Sequence, residues 1–139
     1  MPKEQNAIKI IGIDYGSANI GLALGINGFV TPLEIISGKN VDEAIYKIIR
    51  ITLENKVSKF VVGLPLTAEE KDTSQSLNTR RFVKKLKILS KKPVEFQNEF
   101  GTSKEALNRA ITLGTPQESR KTNDHLSAAL ILKRYYEER

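Results

Sequence analysis

Asp14 closes the nearly apolar run Ile8-Lys9-Ile10-Ile11-Gly12-Ile13-Asp14, and a turn bracketed by Gly16 and Gly21 follows at once. A run of that kind reads as a buried strand. A carboxylate at the end of a buried strand is costly unless a cation or hydrogen-bond donors satisfy it. Asp14 is therefore the leading candidate for a functional residue. The ordinary alternative is that it hydrogen-bonds the amides of its own turn, as Asp often does. Two more carboxylates sit at element ends: Glu99 follows a short strand, and Asp124 opens the final helix. A helix N-terminus tolerates Asp on its own account, because its free amides and dipole favour negative charge. Brought to one site, three carboxylates repel one another, and a bound cation resolves the repulsion. Oxygen-only ligands favour a hard ion, Mg²⁺ or Mn²⁺. Two such ions ~3.5–4 Å apart can clamp the attacking and leaving oxygens of a phosphodiester.

The elements expected to position these residues follow from periodicity. Strands are expected at about 8–14, 20–26 and 29–36, the last interrupted by Pro32, which suits an edge. Gly25 to Gly28, with Asn27 between, is a hairpin signal. Val41, Ala44, Ile45, Ile48, Ile49 and Leu53 repeat with helical spacing over about 41–55. Lys59–Leu64 reads as a strand halted by Pro65. A helix over about 74–90, a strand over about 93–97 and a helix over about 102–113 follow, with Thr102 and Glu105 forming a capping box. A last helix runs over about 122–137. The order βββαβαβαα describes an α/β fold with a five-stranded mixed sheet, part antiparallel hairpin and part crossover-connected, with helices on both faces. If strands one, four and five run parallel, their carboxyl ends gather Asp14, Gly63-Leu64-Pro65 and Asn98-Glu99 on one edge, where ligands of open α/β sheets bind. Stepping back four residues from Ala128 along the last helix reaches Asp124, on the face that packs against the sheet.

The chain has 139 residues, 40% apolar and 27% charged, as expected of one soluble globular domain, residues 1–139. It contains no cysteine and a single histidine, His125, which excludes disulfides and thiolate metal sites and argues against a histidine-based zinc site. No apolar stretch reaches the ~18–20 residues of a membrane span, and the polar start is no signal peptide, so a cytoplasmic protein is expected. The net charge is +6, but seven cations (Arg80, Arg81, Lys84, Lys85, Lys87, Lys91, Lys92) lie between Thr73 and Val94 with no acid among them, leaving the rest of the chain at −1. Arg80, Lys84, Lys87 and Lys91 recur at helical spacing as one stripe, while Phe82, Val83, Leu86 and Leu89 supply an apolar face. A solvated helix face explains a few lysines. Seven uncompensated ones lean towards a polyanion, and specifically nucleic acid.

Four segments together resemble the YqgF family, described as Holliday-junction-resolvase-like and as pre-16S rRNA nucleases with an RNase H-like fold. They are Gly12-Ile13-Asp14-Tyr15-Gly16-Ser17-Ala18-Asn19-Ile20-Gly21, Val61-Val62-Gly63-Leu64-Pro65-Leu66, Asn98-Glu99-Phe100-Gly101-Thr102-Ser103, and Asp124-His125-Leu126-Ser127-Ala128-Ala129-Leu130-Ile131-Leu132. Each is weak alone; four in this order across nearly the whole chain are specific. The resemblance implies that Asp14, Glu99 and Asp124 are the catalytic, metal-binding triad, with Mg²⁺ or Mn²⁺, two ions in all, activating water for in-line attack. It implies an endonuclease acting on structured nucleic acid, an rRNA precursor or branched DNA, in ribosome biogenesis or recombination. Asp14 would bridge the ions, and Glu99 and Asp124 would each complete one or orient the water. The chain departs from the family where Asn98-Glu99-Phe100 stands for Asp-Glu-Arg: an anion-binding arginine gives way to an apolar ring, with a cost to phosphate affinity. The loop Thr67–Lys71 also lacks the family's usual glycine, and the stretch between Gly114 and Asp124 is short, although Arg120 and Lys121 keep positive charge near the third carboxylate.

Candidate substrate contacts are Gly16, Ser17, Asn19, Gly63 and Pro65 at the strand ends, Arg80, Lys84 and Lys87 on the basic helix, and Arg120 and Lys121 before the last helix. Turn chemistry alone also accounts for Ser17 and Asn19, and a strand-ending turn for Gly63 and Pro65. His125 reads as a solvated first-turn histidine, Tyr135 and Tyr136 as packing residues. Two other function classes compete. A nucleic-acid-binding regulator with impaired catalysis is favoured by Phe100. A kinase- or actin-like phosphate hairpin is suggested by Gly12-x-Asp14-x-Gly16, but those folds pair two such domains and this chain holds one.

Overall fold

Lys9–Tyr15 forms β1, the central strand of a five-stranded sheet in the order β3-β2-β1-β4-β5 in the computed structural model, which describes residues 7–98 and 123–139. The other strands are β2 (Asn19–Ile26), β3 (Phe29–Ser37), β4 (Lys59–Leu64) and β5 (Val94–Asn98). The described helices are α1 (Val41–Asn55), α2 (Ser74–Ser90) and α3 (Asn123–Glu137). The first three strands pair antiparallel, and β1, β4 and β5 run parallel, as their crossover spacing requires. The mixed sheet expected from the sequence is therefore present. The expected helix at 102–113, with Thr102 and Glu105, lies outside the described residues.

Alternation along β1 divides the core in two. Ile11 and Ile13 join Ile20, Leu22, Phe60 and Val62 on one face, against Ile45 and Ile48 of α1 and Phe82, Val83 and Leu86 of α2. Ile10, Ala23 and Val61 face the other way, against Ala128, Ile131, Leu132 and Tyr135 of α3. A sheet covered on both faces explains why β1 and β4 are near-continuous apolar runs rather than alternating ones.

Local chemistry fixes the element ends. Asn27 and Gly28 both have positive φ, 51° and 89°, the signature of a two-residue hairpin between the paired Ile26 and Phe29. Pro32 lies on β3, an edge strand, beside a register shift that leaves Leu33 extra. Asn40 caps α1 by accepting from the Glu43 amide at 3.1 Å. Thr73 and Ser76 form a reciprocal capping box at the start of α2. Lys91 ends that helix in the left-handed region at φ 57°, so the stripe expected through Arg80, Lys84, Lys87 and Lys91 loses its last member to the cap. Among the described residues no helix is long and apolar enough to cross a membrane.

The C-terminal half of α3 is tied to β4 and β5 by polar contacts. Lys59 donates to Glu95 at 2.5 Å and to the Tyr135 hydroxyl at 2.6 Å, and Tyr135 donates to Glu95 at 2.7 Å. Arg139 lies 4.1 Å from the Tyr135 ring centre. Tyr135 is thus more than the packing residue its sequence suggests. Tyr136 does serve as one: its ring fills the space over Gly25, whose hypothetical Cβ would stand 2.6 Å from the Tyr136 hydroxyl.

Candidate active site

Asp14 is the penultimate residue of β1 and is half-buried. Parity puts it on the same face as Gly12, the face that α3 covers. A Cβ on Gly12 would stand 2.5 Å from Leu132 Cγ and 3.1 Å from the Ala128 carbonyl, so α3 approaches β1 backbone to backbone there. The partner of Asp14 on β2 is Gly21. On β4, Ile13 pairs with Val62, and the residue after Val62 is Gly63. Asp14 therefore lies between two positions that have no side chain.

The direction of α3 brings Asp124 to this edge. Ala128 and Leu132 meet Gly12, while Tyr136 meets Gly25, which pairs with Ile10. The helix thus runs from the carboxyl end of β1 towards its start. One helical turn back from Ala128 is about 6 Å, and two residues on from Gly12 along the strand is about 7 Å. The backbone of Asp124, in the first turn of α3, is consequently level with Asp14. The side chains of Asp124 and His125 are outside the described residues, as are Glu99, Phe100, Arg120 and Lys121. Asn98 ends β5 opposite Leu64, at the same edge and two strands from Asp14. Among the described residues no three acidic or histidine side chains are close enough to share one ion.

The turn after Asp14 is braced from two sides. A Cβ on Gly16 would meet the Asn19 carbonyl at 2.7 Å. Gly38, just past β3, donates from its amide to the Ala18 carbonyl at 2.9 Å, and a Cβ there would lie 2.7 Å from the Gly16 carbonyl. Ser17 and Asn19 are exposed on the turn, and Pro65 is half-buried at the end of β4. Tyr15 points to the opposite face, where its ring stacks on Phe82 with centres 4.4 Å apart. Gln75 in the first turn of α2 donates to the Tyr15 carbonyl at 2.8 Å, and Thr73 donates to the Pro65 carbonyl at 2.8 Å. Gly38 and Gln75 were not legible as site-shaping residues: the glycine resembles any strand-end glycine, and nothing local marks the glutamine.

The basic helix reaches this edge with its N-terminus only. Arg80, Lys84 and Lys87 lie along the flank of α2 next to β5, on the side of the sheet opposite the face Asp14 occupies. Arg80 donates to Asp72 at 2.8 Å. The Arg80 guanidinium, and next the Ser76 hydroxyl, hold the Asp72 carboxyl below its ordinary range. Lys85 pairs with Asp42 at 2.8 Å across to α1.

A family model described as "RuvX: Holliday junction resolvase" matches residues 8–138. The chain is 33% identical over 137 residues to a protein of Chloroflexus aggregans named "Putative pre-16S rRNA nuclease", with 96% of each covered. It is 35% identical over 133 residues to a protein of the same name from Sulfurihydrogenibium sp., covering 91% of this chain and 88% of that one. Among solved structures it is similar to Thermus thermophilus RuvC in complex with a Holliday junction substrate, at TM-score 0.58 and 16% identity over 94% of this chain and 96% of that one. The fowlpox virus Holliday junction resolvase aligns at TM-score 0.52 and 16% identity over 94% and 99%. At such identities the structural likeness speaks to fold, which is RNase H-like.

Proposed function

The chain belongs to the RuvX family of Holliday-junction-resolvase-like nucleases, and from that premise we propose that it is a divalent-metal-dependent endonuclease processing the 5′ end of the 16S rRNA precursor in the cytoplasm, the whole chain acting as one nuclease domain. The observation that carries the reading is the position of Asp14 at the carboxyl edge of three parallel strands, between Gly21 and Gly63 and level with the first turn of α3.

The residues fit a hard cation. The donor set is all oxygen, and the backbone beside Asp14 carries no side chains that would fill the space. Asp14, Glu99 and Asp124 are the residues that would hold the cation, as Mg²⁺ or Mn²⁺. Such ions, when bound, supply a more acidic water and neutralise charge on the scissile phosphate. The rest falls to the chain. The turn Gly16–Asn19, held by Gly38, offers backbone amides and the hydroxyl of Ser17 to phosphate oxygens. Arg120 and Lys121 are proposed to add positive charge beside Asp124. Arg80, Lys84 and Lys87 serve substrate binding away from the reacting centre.

Cleavage of precursor rRNA fragments in Mn²⁺, absent in EDTA and absent in Asp14→Asn, is the expected result. The description of the family model favours a second reading, a DNA junction resolvase, so four-way DNA is the companion substrate. Binding to both substrates with cleavage of neither would overturn the enzyme and leave a binding regulator.

A further inference from the structure

Phe96 is the one apolar ring on β5, and its side chain remains 38% exposed on the strand that edges the sheet. Facing it across an open cleft of about 380 Å³ are Arg80, Val83, Lys84, Lys87 and Ile88 of α2. The floor is apolar, with Ile88 65% exposed, and the rim is cationic. The Arg80 guanidinium is already seated over the Phe96 ring, 5.3 Å from its centre, and is anchored there by Asp72. Exposed apolar surface beside uncompensated lysines is an unfavourable way to build a solvated face, but it suits a ligand with flat apolar faces and regular negative charge. Phe96 also lines a second cleft, along the outer flank of β5, with Glu70, Gln97, Asn98, Arg134, Glu138 and Arg139. The two clefts meet at its ring.

We propose that the cleft between α2 and β5 binds an unpaired stretch of the RNA substrate, one base stacking on Phe96 and adjoining phosphates meeting Lys84 and Lys87. This rests on the nuclease reading for the choice of RNA, but the cleft lies on the side of the sheet opposite the face that Asp14 occupies. A duplex offers no base face to a ring, whereas every unpaired base does, so the cleft selects for single strands with little preference for sequence. Sequence alone marks the lysine stripe but not Phe96, which lies in a strand of mixed polarity.

The test is fluorescence anisotropy of labelled oligouridine in EDTA, so that binding is measured without cleavage. Phe96→Ala is expected to weaken binding by about 5- to 100-fold, and Phe96→Trp to preserve it. Lys84→Gln and Lys87→Gln are each expected to lower the slope of log affinity against log salt by about 0.7. The absence of metal keeps this result independent of whether cleavage occurs. Unchanged binding by Phe96→Ala would overturn the proposal, as would equal loss in Phe96→Ala and Phe96→Trp, or equally tight binding of blunt duplex RNA. Tenfold tighter binding of oligothymidine would overturn the assignment to RNA.

Discussion

Asp14 and Gly21 face each other directly in the antiparallel pairing of β1 and β2. Cross-strand partners ordinarily contact through their side chains, and here one partner has none. The carboxylate is therefore held by a rigid backbone and is not crowded from β2. The metal-holding role proposed for Asp14 would benefit, because groups that hold a metal perform best when their supporting elements are fixed.

If Asp14 holds a cation, the cation must stabilise the folded chain. Adding Mn²⁺ should raise Tm in proportion to its binding, about 2.7 kcal/mol of stabilisation at a hundredfold excess over Kd. Asp14→Asn should remove most of that rise. Differential scanning fluorimetry with a Mn²⁺ titration measures this without any substrate, and equal shifts in both proteins would exclude Asp14 as a ligand.

Gly12 sets how closely α3 lies on the sheet. Gly12→Ala is expected to destabilise by about 1–3 kcal/mol through overpacking, since the new methyl collides with Leu132. Combining it with Leu132→Ala should cost less than the sum of the two single changes, because they share one space. Rescue will be partial, as the Ala128 carbonyl stays at 3.1 Å. Urea denaturation of the four proteins gives the coupling.

Gly38 braces the turn that follows Asp14 although it is distant in sequence. Gly38→Ala should displace Gly16 and Ser17 and lower kcat by about tenfold or more, in line with the sensitivity of catalysis to small misplacements. Loss of stability without loss of kcat would show that the turn is only structural.

The Lys59–Glu95 pair has a defined pH signature. Lys59 first, and Tyr135 second, hold the Glu95 carboxyl below its ordinary value near 4.5. A depressed carboxyl stabilises the fold above the unfolded pKa, and this contribution disappears as pH falls through the folded value. Lys59 is raised above 10.5, chiefly by Glu95, so its share is present below that value and lost as pH rises through the folded one. With side chains 25% and 41% exposed, solvent screening limits the pair to about 0.5–1 kcal/mol near neutrality. The Tm difference between wild type and Glu95→Gln should therefore be widest near neutral pH and close as pH drops below about 4.5.

Much of this fold is legible in the chain because its signals are local. The apolar runs of β1 and β4, the Asn27-Gly28 turn and the 3.6 period of α1 each specify their element without help from the rest. Parallel pairing then follows from the crossovers, and it brings Asp14 and Asn98 to one edge. The site is legible only as far as backbone topology carries it. That Gly21 lies beside Asp14 depends on register, that Gly38 closes the turn depends on a contact across the end of β3, and that Phe96 meets Arg80 depends on the packing of α2 against β5. Register and tertiary contact leave no periodic mark in a sequence. The basic stripe was visible as charge, but its side of the sheet was not, because that depends on which apolar face of α2 the core takes.

Pro32 and the extra residue at Leu33 bear on how copies of this chain meet. Proline deletes an amide donor from the outer strand, and the bulge bends the strand's ladder away from a straight template. An incoming strand would find neither a full set of partners nor a flat rim on that flank. Crowding the molecules together, as happens during overexpression or concentration, should consequently not splice their sheets end to end through β3, and the flank acts as a built-in guard against fibre growth.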